Sequence, residues 1–182
     1  MPGQAPRCFI AIEIPEELKA RISYLAQELN FVNIKGIKLV EKENLHITLK
    51  FLGNISPEKI DFIQQKLSEI KFTPFNIQLL GVGVFPNDTY VRVVWVGCKS
   101  KELYILAKKI EDALASEFKK DEFTAHTTFA RVKQKTDLHS RLEKHKNDNF
   151  GDFICSKFEL KQSQLGREGP VYSSLAIFNA KS

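Results

Sequence analysis

Leu45-His46-Ile47-Thr48-Leu49-Lys50-Phe51-Leu52 decides the architecture, because its polarity alternates residue by residue. A strand repeats every two residues, so Leu45, Ile47, Leu49 and Phe51 fall on one face. His46, Thr48 and Lys50 fall on the other. Such alternation means that one face packs on a core while the other meets water or a ligand. The polar row sets an imidazole, a hydroxyl and an ammonium side by side, groups suited to cradle a phosphate. The pattern returns at Ala125-His126-Thr127-Thr128-Phe129-Ala130-Arg131, where His126, Thr128 and Ala130 share a face.

Outward from the first copy, Cys8 to Ile14 is a continuous apolar run that ends at Pro15. It reads as a central strand buried on both faces. Pro15 suits a first helical position, and Leu18, Ile22, Leu25 and Leu29 follow at helical spacing. Downstream of Leu52, a Gly53-Asn54 break leads to Ser56-Pro57 as cap and first residue of a second helix. Its buried stripe is Ile60, Ile63, Leu67 and Ile70. Phe75 to Val84 and Val91 to Val96 read as a hairpin around a Phe85-Pro86-Asn87-Asp88 turn. Leu103, Leu106, Ile110 and Leu114 mark a third helix, from about Ser100 to Lys119, and the second His copy comes next. Residues 133–149 are rich in charge and read as a surface segment with room for a short helix. Phe153 to Leu165 and Val171 to Phe178 close the chain as two strands around a Gly166-Gly169-Pro170 loop.

This order predicts an α+β fold with mainly antiparallel sheets. The similar strand-helix neighbourhoods of the two histidines hint at a pseudo-twofold arrangement. No flexible linker or low-complexity tract divides the chain, so residues 1–182 read as a single domain. The net charge of +5 over 182 residues is a modest basic excess, compatible with a phosphate-bearing partner. Cys8, Cys98 and Cys155 are scattered and form no C-x-x-C, which favours buried reduced thiols over a disulfide framework. The N-terminal stretch resembles neither a signal peptide nor a membrane span. A soluble cytoplasmic protein with no membrane association is expected.

A strand histidine followed two residues on by a threonine is weak evidence taken once. Two copies, in a chain with only four histidines, carry more. His139 and His145 sit among charged residues and read as solvated surface groups. A metal centre would want clustered Cys, His or carboxylate ligands, and neither histidine has one beside it on its strand face. No metal is therefore expected. No G-x-S-x-G elbow is present, and Gly81 to Val84 lacks the ending of a phosphate loop. What remains is acid-base chemistry, with one imidazole taking a proton while the other gives one. Thr48 and Thr128 can donate to the non-bridging oxygens of a phosphate.

These residues resemble a known family. The pair H-I-T-L and H-T-T-F looks like the two H-x-[ST]-x signatures of the 2H phosphoesterases. More narrowly, the stretches Asn44 to Gly53, Ala125 to Arg131 and Arg7 to Pro15 resemble the RNA 2′,3′-cyclic phosphodiesterase branch. That branch is also called 2′-5′ RNA ligase or LigT-like. Gly83 to Asn87 and Gly169 to Leu175 fit its framework. The resemblance implies a bilobal fold, with helices on the outer faces of two sheets and a central cleft between them. It implies metal-independent hydrolysis of an RNA-terminal 2′,3′-cyclic phosphate to a 2′-phosphomonoester, reversible as 2′-5′ joining, with no cofactor. The family pattern would make His46 the proton donor and His126 the proton acceptor. RNA bearing a cyclic phosphate end, tRNA halves among them, is the implied partner. A monomer with no obligate protein partner is expected. An RNA-binding module without turnover, or a phosphodiesterase for small cyclic nucleotides, are the alternatives.

Phe51 and Arg131, each five residues after its histidine, are further substrate-binding candidates beside Lys50. Strict alternation puts both on the face opposite the histidines. Phe51 either packs in the core or is turned toward the cleft by a bend at Leu52-Gly53, where it could stack a base. For Arg131 a terminal phosphate is a better neighbour than an apolar face. Lys133 and Lys135 extend the basic row and read as solvated rather than RNA-binding.

Overall fold

The structure is a computed structural model that describes residues 5–166 and 169–181. Residues 1–4 of the polar N-terminal stretch and residues 167 and 168 of the Gly166 to Pro170 loop lie outside them.

The apolar run forms β1 (Arg7–Glu13), and Cys8 to Ile12 are buried as expected for a strand inside a sheet. Pro15 stands one position earlier than its fixed φ suggested. It precedes α1 (Glu16–Glu28), and its carbonyl accepts from the Leu18 and Lys19 amides. Leu18, Ile22 and Leu25 form the buried stripe of α1. A short β2 (Ile37–Leu39) follows, and then a 3-10 turn over Lys42–Asn44 that leads into β3 (His46–Asn54). Three residues are too few to carry an alternation, which is why β2 was illegible.

Pro57 opens α2 (Pro57–Ser68) after Ser56. The hairpin of β4 (Phe75–Asn87) and β5 (Tyr90–Lys99) is longer than the sequence suggests. Phe85-Pro86-Asn87 continues the strand, and Pro86 sits at a register slip, where a missing N–H costs the ladder little. The Asn87 side chain accepts from the Thr89 and Tyr90 amides and closes a tighter turn. Helix α3 (Lys101–Ala113) ends before Lys119, and β6 (His126–Val132) carries the second motif. In the charged segment α4 (His139–Glu143) forms, anchored by buried Leu138 and Leu142. The stretch read as one strand from Phe153 is two, β7 (Asn149–Cys155) and β8 (Lys157–Leu165), which serve different sheets. Hydropathy does not register a change of sheet. Strand β9 (Pro170–Asn179) ends the fold.

Two sheets result, ordered β3-β1-β8-β9 and β2-β6-β5-β4-β7, and neighbouring strands in both run antiparallel. Each histidine strand pairs with the strand that precedes the intervening helix: β3 with β1 across α1 and the short β2, which joins the other sheet, and β6 with β5 across α3. The helices cross over. Helix α1 packs on β6 and β7, while α3 packs on β3. The sheets approach each other along β3 and β6, so folding brings the two histidine strands together. The expected α+β, two-sheet architecture with a central cleft is what forms.

Candidate active site

Both motif strands show the same burial sequence from the histidine onward: half-buried, buried, half-buried, buried, buried, exposed, buried. Two consecutive buried residues break the two-residue period. The strand register gives the cause. In β3, Thr48 pairs with Ala11 and Lys50 with Ile10, so Leu49 and Lys50 together oppose a single step of β1. In β6, Thr128 pairs with Trp95 and Ala130 with Val94, so Phe129 is the extra residue. Each is a β-bulge, which inverts the facing of the residues that follow it, and in β3 a second slip comes at Leu52, between Phe51 and Gly53. Residues five past each histidine thereby return to the histidine face.

The consequences differ for each candidate. His46, Thr48 and Phe51 from β3, and His126, Thr128 and Arg131 from β6, line one cleft of ≈ 990 Å³ between the sheets. The turn of Phe51 arises at Leu49-Lys50, and the irregularity expected at Leu52-Gly53 is present as a second register slip just beyond it. The ring remains 62% exposed, far from core packing. Lys50 is the correction. Strict alternation put it beside His46, but the bulge drives it to the opposite side, where it is buried and absent from the cleft lining. Its ammonium donates to both oxygens of Glu111 on α3 (3.1 and 2.9 Å), to the Lys119 carbonyl (2.9 Å) and to Asp121 (3.3 Å). A buried ammonium needs such partners, and Lys50 has no donor left for a substrate. Lys133 and Lys135 are exposed and outside the lining. His139 is exposed, and half-buried His145 bonds Asp148 at 2.8 Å.

The two imidazoles are held alike. Nδ1 of His46 lies 2.6 Å from the Asn44 carbonyl, and Nδ1 of His126 lies 2.7 Å from the Thr124 carbonyl. A carbonyl only accepts, so in each ring Nδ1 carries the hydrogen and Nε2 is left with the lone pair. Thr48 Oγ1 stands 2.9 Å from Nε2 of His46 and donates to it in the neutral state. Aromatic rings enclose both. Phe9 and Tyr172 lie 5.0 and 5.4 Å from His46, centroid to centroid, and Phe85 lies 5.0 Å from His126.

Burial among these rings pushes the His46 pKa down to about 4, against the opposing pull of the Asn44 carbonyl and of Glu13. Burial also lowers His126, partly offset by the Thr124 carbonyl. Both rings are thus biased toward the neutral state. Arg7 and Lys38 also line the cleft, and Lys38 stands opposite Arg131 in the β2–β6 register. Opposed like charges favour an anion between them.

Sequence reading had missed Phe9, Tyr172, Phe85, Arg7 and Lys38 as cleft residues. Phe9 lay inside an apolar run that looked wholly structural, and Lys38 on a strand too short to detect. The family framework held a signal for four of the five, with Arg7 and Phe9 in the Arg7 to Pro15 stretch, Phe85 in Gly83 to Asn87 and Tyr172 in Gly169 to Leu175.

Comparison with known proteins supplies the family. The family model described as LigT like Phosphoesterase matches residues 12–95. The chain is 40% identical over 176 residues to a protein of Archaeoglobus fulgidus named RNA 2′,3′-cyclic phosphodiesterase, covering 94% of this chain and 99% of that one. It is 41% identical over 171 residues to a Methanocaldococcus jannaschii protein of the same name, covering 91% and 96%. Among solved structures, a Thermus thermophilus protein superposes with a TM-score of 0.78 at 27% identity, covering 95% of this chain and 97% of that one. Escherichia coli LigT complexed with ATP shares the fold with a TM-score of 0.80 at 24% identity, covering 97% and 99%. The chain belongs to the LigT-like phosphoesterase family.

Proposed function

We propose that this protein hydrolyses the 2′,3′-cyclic phosphate at an RNA end to a 2′-phosphomonoester, by acid-base catalysis between His46 and His126. The observation that carries the reading is the matched pair of imidazoles in one cleft, each with Nδ1 tied to a carbonyl and Nε2 left for proton transfer. The shared name of the curated relatives supports the substrate.

In this mechanism neutral His126 removes a proton from water as its oxygen attacks phosphorus. The bond to the 3′-oxygen breaks, and protonated His46 delivers its proton to that oxygen, leaving the phosphate on the 2′-position. Thr48 and Thr128 donate to the non-bridging oxygens. His46 must enter the reaction protonated, although burial disfavours its cation. The anionic phosphodiester resolves this, because a negative charge beside the ring stabilises the imidazolium. Joining follows the same step with an RNA 5′-hydroxyl in place of water. It draws on the strain of the cyclic ester and needs no nucleotide cofactor.

Phosphate provides a direct test of the electrostatics. In NMR titrations the midpoint of His46 should lie near 4 in the free protein and move upward when inorganic phosphate is added. A midpoint indifferent to saturating phosphate removes the shared anion site. Arg131 is assigned to substrate binding. Arg131→Ala should raise KM for a cyclic-phosphate oligonucleotide roughly 10-fold, about the value of one charge-assisted contact, with a smaller effect on kcat. Steady-state kinetics at two salt concentrations checks this, because the arginine's share of binding shrinks as salt rises. The decisive assay is hydrolysis itself. An oligonucleotide with a 2′,3′-cyclic end should yield a 2′-phosphate, and tight binding without turnover would leave a binding module instead.

A further inference from the structure

We propose that Lys19 is a positioning residue for this reaction, holding the turn whose carbonyl orients His46. The inference rests on the catalytic reading above and extends it to a residue outside the cleft.

Lys19 lies on α1 and is only 6% exposed, an unusual state for a lysine unless it is paired. Its ammonium makes two contacts, both to residues outside the cleft lining. It donates to the Glu13 carboxylate at 2.8 Å and to the Glu43 carbonyl at 3.1 Å. Glu13 stands directly opposite His46 in the β1–β3 register. Burial alone would raise the Glu13 pKa, but Lys161 from β8 and Lys19 hold it below the usual range, so Glu13 is a carboxylate. Glu43 belongs to the turn Lys42–Asn44, and the next residue supplies the carbonyl that receives Nδ1–H of His46. The Asn44 side chain also donates to the Pro170 carbonyl at 2.9 Å. One buried ammonium therefore ties β1 and α1 to the three-residue turn that sets the direction of the His46 ring.

Before His126 the nearest such tie among the described residues is Lys50 to the Lys119 carbonyl and Asp121, which stops short of the residue that orients the ring. The carbonyl partner of His126 belongs to exposed Thr124, and among the described residues no lysine or arginine donates to the backbone of residues 122–124. The two histidines share first contacts but differ in what stands behind them. Lys19 does not line the cleft, so it acts through the turn and not on substrate.

The charged and titratable groups bearing on His46 are Glu13 from β1, Lys19 from α1, Lys161 from β8 and Tyr172 from β9. This allows a test that simple loss of structure does not mimic. Three variants, Lys19→Met, Lys19→Arg and Glu13→Gln, are compared by kcat, KM and pH profile on an oligonucleotide 2′,3′-cyclic phosphate. Lys19→Met should lower kcat roughly 10-fold to 100-fold, the scale of an ångström of misplacement, with KM nearly unchanged. Removing a positive charge should also shift the His46 limb of the profile to higher pH. Glu13→Gln removes a negative charge and should shift the same limb to lower pH. Lys19→Arg should recover most of kcat.

Wild-type kcat in Lys19→Met, or a loss that Lys19→Arg does not restore while the limb stays fixed, overturns the proposal. Should Lys19→Met fail to fold by circular dichroism, Glu13→Gln decides, and an unmoved limb overturns it. If the wild type shows no hydrolysis, the catalytic reading has failed separately. The positional claim is then read from the His46 Nδ1 proton by NMR. That proton should stay protected in wild type and exchange faster in Lys19→Met, and equal exchange overturns the proposal.

Discussion

Replacing His126 by alanine should lower kcat for a 2′,3′-cyclic RNA end by at least about 10²-fold, and up to about 10⁴-fold, while the protein still folds. The lower bound is the contribution of one positioned base. Removing the side chain leaves water with nothing to accept its proton except solvent. The fold survives because the ring is only half-buried at the cleft wall and bonds the Thr124 carbonyl, which water can satisfy in its place. His46→Gln has an equal effect on kcat for the opposite reason, since the departing 3′-oxygen then leaves unprotonated. Glutamine is the better replacement here, because an alanine beside Phe9 and Tyr172 opens a gap among the rings. The double variant should be little worse than either single one, because in the proposed mechanism the two histidines act as a unit. The measurements are kcat and KM for each variant, together with thermal melts. Near-wild-type turnover in either single variant ends the two-histidine mechanism.

Lys50→Ala destabilises the fold by about 3 kcal/mol while sparing the chemistry. Its ammonium is the partner of a largely buried Glu111 carboxylate, and its loss leaves that charge unpaired. Denaturant melts should show the change, and activity per folded molecule should stay within about twofold of wild type. Lys50→Ala together with Glu111→Ala should be less damaging than the sum of the two single changes, because no charge is then left unpaired. The opposite outcome, a stable protein with a raised KM, would restore Lys50 to the substrate row where simple alternation had put it.

That row marks the boundary of what could be read in advance. Leu45 to Phe51 and Ala125 to Arg131 announced two strands and two histidine-threonine pairs through polarity alone, and those side chains do meet in one cleft. The helices were legible because leucines and isoleucines at 3.6-residue spacing have few other uses. Their ends were less so: α3 stops at Ala113, several residues short of where its charged tail suggested. Phe153 to Leu165 hid a change of sheet at Ser156, since strands of either sheet look alike in hydropathy. The aromatic enclosure of His46 drew Phe9 and Tyr172 from opposite ends of the chain, a proximity no local pattern encodes.

By itself, then, the amino-acid order determined which residues could do the chemistry, because side-chain identity sets proton affinity and strand period sets the facing of near neighbours. Tertiary structure decided which of them reach the cleft. A bulge after each histidine-threonine pair, visible only when β3 is laid against β1 and β6 against β5, slips the period by one residue. That slip brings Phe51 and Arg131 forward and sends Lys50 into an ion pair with α3. A bulge is a property of the ladder between two strands, so one strand read alone does not contain it.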